Sequence, residues 1–198
     1  MIDRWINTSI SKSYILFGAR RAGKTTLLRH RFPNATYLNF DDHDVLTMAK
    51  RDPKGLLKKT ARDVILDEVQ RVPELLTSVK YFIDSGERRF YMTGSSSIGL
   101  VAQGIETLAG RVQLIECPTF AFGETRGPPS HKTFSPVTDQ EDLLAASREL
   151  AEAIQFGGFP EVALATNERE KFDLLRNYRD TYFARDLMLL ANIELADS

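Results

Sequence analysis

The sequence predicts an α/β protein, a parallel sheet with helices on both faces and a small helical region after it. Three observations lead there. Short apolar runs of strand length alternate with helical patterns from residue 14 to about residue 117. The first run, Tyr14-Ile-Leu-Phe17, leads directly into a glycine-bracketed loop and then a helix. The third run, Val64-Ile-Leu66, ends in the acidic pair Asp67-Glu68.

The elements follow in order. Tyr14 to Phe17 reads as a buried strand and Thr25 to Arg31 as a helix, stopped by Pro33. Thr36 to Phe40 is a second strand ending in Asp41-Asp42. Residues 43–60 are helical, with Asp52-Pro53 opening a second short helix. Val64 to Leu66 is the third strand. Pro73 to Asp84 is a helix, because Leu75, Leu76, Val79 and Phe82 or Ile83 keep helical spacing. Arg89 to Thr93 and Val112 to Cys117 supply the fourth and fifth strands. Residues 126–139, with a glycine, three prolines, serine and threonine, read as a loop. Helices are expected over 141–155 and 168–191, separated by Phe156-Gly-Gly-Phe-Pro160. No final core element is evident before Ser198, so a longer parent protein is expected.

Composition bounds the setting. The 198 residues suffice for one substantial core, and a single cysteine, Cys117, permits no internal disulfide. There is no signal-peptide pattern at the N-terminus and no run near the ~20 apolar residues of a membrane span. A cytoplasmic protein with no membrane partner is expected. Charge is uneven: residues 1–62 hold 13 Lys+Arg against 5 Asp+Glu, and residues 63–198 hold 13 against 22. The basic third suits nucleic acid or a nucleotide's phosphates, but a solvated mixed-charge surface is the simpler reading, since the net charge is −1.

Chemistry concentrates in four motifs. Gly18-Ala19-Arg20-Arg21-Ala22-Gly23-Lys24-Thr25 matches GxxxxGK[ST], with Thr26 continuing into the helix. Its glycines let backbone N–H groups turn inward around phosphates, Lys24 reaches the β- and γ-phosphates, and the Thr25 hydroxyl ligates Mg2+. Asp67, at a strand end, is the metal-orienting candidate, and Glu68 the general base for an attacking water. In Met92-Thr93-Gly94-Ser95, Thr93 and Ser95 are candidates for sensing the γ-phosphate, against a plain Ser/Gly loop. Arg111, in Leu108-Ala-Gly-Arg111, could act as an arginine finger on a neighbouring copy or sense phosphate in its own site, with a surface salt bridge as the alternative. A GTPase would need a base-reading [NT]KxD element and a DxxG element after the third strand, and neither occurs, which points to ATP. Asp41-Asp42-x-Asp44 reads as a helix N-cap cluster rather than a second metal site.

The order GARRAGKTTLLR, YLNFDD, VILDEVQRVPELL, YMTGSSS, LAGRV, GGFPEV and YxxTYxxRDL resembles a family of prokaryotic AAA-type P-loop ATPases, AAA domain type 14, over about residues 2 to 193. The resemblance implies that members carry a C-terminal domain of unknown function with a restriction-endonuclease-like fold, and residues 141–198 are expected to lead into it rather than to form it. The resemblance implies a five-stranded parallel sheet in the order 5-1-4-3-2. It implies Lys24 and Thr25 on phosphate and Mg2+, Asp67 on Mg2+, Glu68 as base, a sensor at Thr93 or Ser95, and Arg111 facing a nucleotide. It also implies a division into an ATPase core (1–125), a linker (126–140) and a helical lid or connector (141–198). Gln70 matches a family position and is expected beside Glu68 or the γ-phosphate. The resulting expectation is an Mg2+-dependent ATP hydrolase that forms a homo-oligomer if Arg111 acts in trans. The alternatives are a slowly hydrolysing ATP-dependent switch, a nucleic-acid-associated module and a small-molecule kinase. For a kinase, residues 126–139 hold too few basic residues, Arg126 and Lys132.

Overall fold

Five short strands form one sheet in which every pairing is parallel: β1 (Tyr14–Phe17), β2 (Thr36–Asn39), β3 (Asp63–Asp67), β4 (Arg89–Gly94) and β5 (Gln113–Glu116). Their order is β2-β3-β4-β1-β5, the expected 5-1-4-3-2 read from the other edge. The computed structural model describes residues 2–8, 11–94, 105–126 and 140–183. The chain divides into two compact units, Arg4–Pro118 and the residues from Thr119 onward joined by 1–3.

In the first unit both sheet faces are covered, so its central strands are apolar on both sides. Alternation along each strand assigns the faces. Tyr14, Leu16, Ile65, Tyr91 and Ile115 point to one face, where Leu28 and Phe32 from helix α1 (Lys24–Arg31) and its end pack on them. Ile15, Val64, Leu66, Phe90 and Met92 point to the other. That second face is covered by α2 (His43–Arg51), α3 (Pro53–Lys58) and α4 (Leu75–Asp84), through Ala49, Leu57, Leu75, Leu76, Val79 and Phe82. The helix starts follow from local chemistry. Asp42 caps α2 by accepting from the N–H groups of Asp44 (2.9 Å) and Val45 (3.3 Å). Asp52 caps α3 at Gly55 N (2.8 Å), with Pro53 at its first position. Helix α1 differs: its cap position is Gly23, in the left-handed region (φ 88°), which offers no side chain. Its first N–H groups are left for another acceptor.

The second unit holds α5 (Gln140–Phe156), α6 (Pro160–Leu164) and α7 (Glu168–Tyr178), around Phe156, Val162 and Tyr178. Gly158 is required there: a Cβ would lie 2.0 Å from the carbonyl oxygen of Phe120, whose N–H donates to the Gly158 carbonyl. Helix α7 ends at Tyr178, earlier than expected, and passes into a wider π-type turn at Arg179–Phe183. Residues 184–191 of the expected helix and 127–139 of the expected loop lie outside the described residues. Among the described residues no helix is long and apolar enough to cross a membrane.

The face assignment is tested by a pair of substitutions. Leu66→Ala, in the fully buried centre of β3, is expected to cost about 2–5 kcal/mol. Leu114→Ala, on the exposed side of edge strand β5 and 51% exposed, should change stability by no more than about 0.5 kcal/mol. Chemical denaturation followed by circular dichroism reads both.

Candidate functional site

Parallel strands bring their carboxyl ends to one edge, and the singled-out residues gather there. Strand β1 ends at Phe17, and Gly18 follows against the end of β5. A Cβ on Gly18 would lie 2.2 Å from the Cys117 carbonyl oxygen, so only glycine lets the loop leave the sheet at this point. The loop then turns through two left-handed residues, Arg21 (φ 58°) and Gly23 (φ 88°), before α1 begins. Ala22 is buried between them, while Arg21 and Thr26 are exposed. Such a turn at an uncapped helix start makes a concave set of N–H donors suited to phosphate.

Lys24 is 6% exposed, and its Nζ donates to the carbonyls of Gly18 (2.9 Å) and Ala19 (2.8 Å). The ammonium thus folds back over the loop it would share with a phosphate. Burial pulls its pKa below the ordinary lysine value, and the nearby Glu68, Cys117 and Asp67 oppose that pull.

Asp67 is the meeting point of four elements. The Thr25 hydroxyl of α1 donates to its carboxylate, at 2.8 Å from Oδ1 and 3.0 Å from Oδ2. Thr93 of β4 donates to Oδ1 at 2.5 Å, and Tyr37 of β2 donates to Oδ2 at 2.7 Å. The Thr25 and Asp67 oxygens are the donor set a hard cation such as Mg2+ takes, so the residues fit that ion. Thr93 is fully buried and also accepts from the Glu68 N–H at 2.9 Å. Its one hydroxyl proton is committed to Asp67, so its contacts are with the two acidic residues. Ser95 lies outside the described residues.

Glu68 has a left-handed backbone (φ 58°), a costly conformation for a residue with a Cβ. The turn Val69–Arg71 that follows holds it in place. Val69 is buried, Gln70 Nε2 donates to Glu68 Oε2, and Arg71 pairs with Asp41 beyond β2. The expected placement of Gln70 beside Glu68 is therefore seen.

Arg111 does not join this group. β5 runs parallel to β1 with Gln113 opposite Tyr14, so Arg111 precedes the amino end of its strand. The phosphate loop lies past the other end, about 13 Å away along a four-residue strand. Arg111 instead forms a two-pronged pair with Asp84 at the end of α4 (2.6 and 3.0 Å) and donates to the Ala109 carbonyl. Each partner holds the other charged: the pairing raises the Arg111 pKa and lowers that of Asp84.

Two contributors escaped the sequence reading. Arg4 donates from Nη1 to the Ala22 carbonyl (2.9 Å) and from Nη2 to that of Pro118 (2.6 Å), tying the N-terminal segment to the loop. Tyr37 sits mid-strand in a run read only as sheet. A phenol two positions before a strand's end, on the Asp67 face, was the available signal.

The family model of the AAA domain matches residues 11–126, and a model for a domain of unknown function matches residues 147–198. An uncharacterized protein of Methanocaldococcus jannaschii is 32% identical over 90% of this chain. An uncharacterized protein of Mycobacterium tuberculosis is 36% identical over 52% of it. The chain spans only 42% and 24% of those relatives' lengths. Among solved structures, the replication initiator DnaA bound to AMPPCP and single-stranded DNA aligns at 13% identity and a TM-score of 0.38, covering 82% of this chain and 70% of that one. Shikimate kinase from Acinetobacter baumannii in complex with shikimate aligns at 15% and 0.26, covering 90% and 96%. With its phosphate loop, its strand order and a family match over more than half of its length, the chain belongs to the AAA domain family of P-loop nucleotide-binding proteins.

Proposed function

We propose that this protein is an Mg2+-dependent ATP hydrolase, with Glu68 as the base that activates water. The observation that carries the reading is the assembly at the carboxyl edge: Thr25 and Asp67 share a hydrogen bond, and Glu68 follows Asp67 on a backbone strained into position. The loop from Gly18 to Thr26 wraps the phosphates, with Lys24 leaving its carbonyl partners for the β- and γ-phosphates. Thr25 and Asp67 would hold Mg2+, which would supply positive charge against the phosphate oxygens. The Glu68 carboxylate takes a proton from the water that attacks the γ-phosphorus, and the β–γ bridging oxygen leaves with ADP. Thr93 serves by fixing Asp67 and the Glu68 backbone, a positioning role in place of direct phosphate sensing.

Arg111 lies at the sheet edge opposite the loop, paired with Asp84, so a role in turnover, beyond that salt bridge, would be in trans, on a neighbouring copy in a homo-oligomer. A slowly hydrolysing switch is the second reading, and one contact favours it: Gln70 already occupies Glu68 Oε2.

Steady-state phosphate release separates these readings. Glu68→Gln should lower release by about 100-fold or more while fluorescent ATP still binds. Release from the unaltered protein no faster than from Glu68→Gln would leave the switch. Arg111→Ala is expected to abolish turnover and spare ATP affinity. A sharp loss of affinity instead would place Arg111 on nucleotide in cis, against the strand geometry.

A further inference from the structure

Tyr37 stands apart from the residues that the P-loop pattern explains. It lies on β2, which contributes to none of the four motifs that carry the chemistry, yet its hydroxyl reaches the metal-orienting carboxylate. Register explains how. Tyr37 pairs with Ile65 and Asn39 with Asp67, so Tyr37 sits one pleat repeat behind Asp67 on the same face. Two residues of strand rise about 6.6 Å, a gap that a tyrosine ring and its hydroxyl bridge and that serine or threonine would not. The ring is held in place: Arg29 of α1 lies 5.0 Å from its centroid, and Leu27 and Ala35 lie in the same partly buried layer.

We infer that Tyr37 is a positioning residue for the metal, fixing Asp67 Oδ2 so that the carboxylate faces an Mg2+ ion shared with Thr25. The inference rests on the reading of Asp67 as the metal-orienting group. Thr93 holds Oδ1 and Tyr37 holds Oδ2, so the carboxylate has a donor on each oxygen besides Thr25. With an ion held by Thr25 and Asp67, these two contacts would keep the carboxylate plane from rotating. Partners of this kind, one step removed from a metal, typically contribute 10–100-fold to its affinity.

The test is Mn2+ binding to the full 198-residue chain with a non-hydrolysable ATP analogue, followed by electron paramagnetic resonance, beside fluorescent-ATP binding in EDTA. Tyr37→Phe keeps the ring and removes only the hydroxyl. It should weaken Mn2+ binding about 10-fold while leaving nucleotide affinity in EDTA close to that of the unaltered protein. Tyr37→Leu, which removes the ring as well, should weaken Mn2+ to a similar degree. Unchanged Mn2+ affinity in Tyr37→Phe, or a loss confined to Tyr37→Leu, would overturn the inference in favour of ring packing. Asp67→Asn is the control for the underlying reading. If it too leaves Mn2+ binding unchanged, the metal site itself is misplaced and the failure lies there.

Discussion

Asp67 places a carboxylate, 5% exposed, at the point where four elements meet. A carboxylate taken out of water costs several kcal/mol unless its oxygens are satisfied, and removing one partner from a charged hydrogen bond is expensive. Here satisfaction comes from Thr25, Tyr37 and Thr93, carried by α1, β2 and β4. None of these donors is local to Asp67, so the carboxylate is satisfied only when β2, β3 and β4 are in register and α1 is docked. The group that would orient the metal therefore also checks the assembly of the sheet edge. Its cost ties the site to the fold: a slipped β2 would remove Tyr37 and turn its side chains to the opposite face.

The same edge also carries backbone strain. Glu68 takes a left-handed conformation whose cost is roughly 1–2 kcal/mol, and it is held there from both sides. The Thr93 hydroxyl receives its N–H, and the buried Val69 anchors the turn that follows. The loop before α1 makes a parallel choice, with Arg21 and Gly23 in left-handed conformations and a helix start left without a side-chain cap. In both places the chain gives up local stability to leave groups aimed outward: N–H donors in the loop and a carboxylate at the strand end. Local rules fail together at functional edges because only the surrounding packing can hold such conformations.

What was legible in the sequence divides along the same line. The strands were legible because central parallel strands are apolar on both faces, and Ile15, Leu16, Ile65 and Leu66 say so directly. The loop and Asp67-Glu68 were legible because their chemistry needs fixed residue types at fixed spacing. Tyr37 and Arg4 were not, since each acts across 30 and 18 positions of sequence through a contact that exists only after the sheet has formed. Thr93 was legible as a polar strand end but not as a group whose proton is spent on Asp67. The end of α7 was missed because its apolar periodicity runs on past Tyr178, and periodicity does not report a change from α to π spacing.

Arg111 shows what strand direction decides that composition does not. A parallel sheet has two unlike edges, and an arginine before β5 belongs to the edge opposite the phosphate loop whatever its neighbours in sequence. Helix α4 spans between them. It starts just past the turn that holds Glu68, where Val72 is buried, and it ends at Asp84, which grips Arg111. Ten residues of helix cover about 15 Å, enough to join the two ends as one rigid body. Leu75, Leu76, Val79 and Phe82 seat it against the sheet, each at most 4% exposed. A helix packed along its length in this way resists sliding, because interiors are dense and deform in discrete steps. Any signal between Glu68 and Arg111 through this route therefore requires α4 to shift as a unit, carrying Asp84 and the turn after Glu68 together.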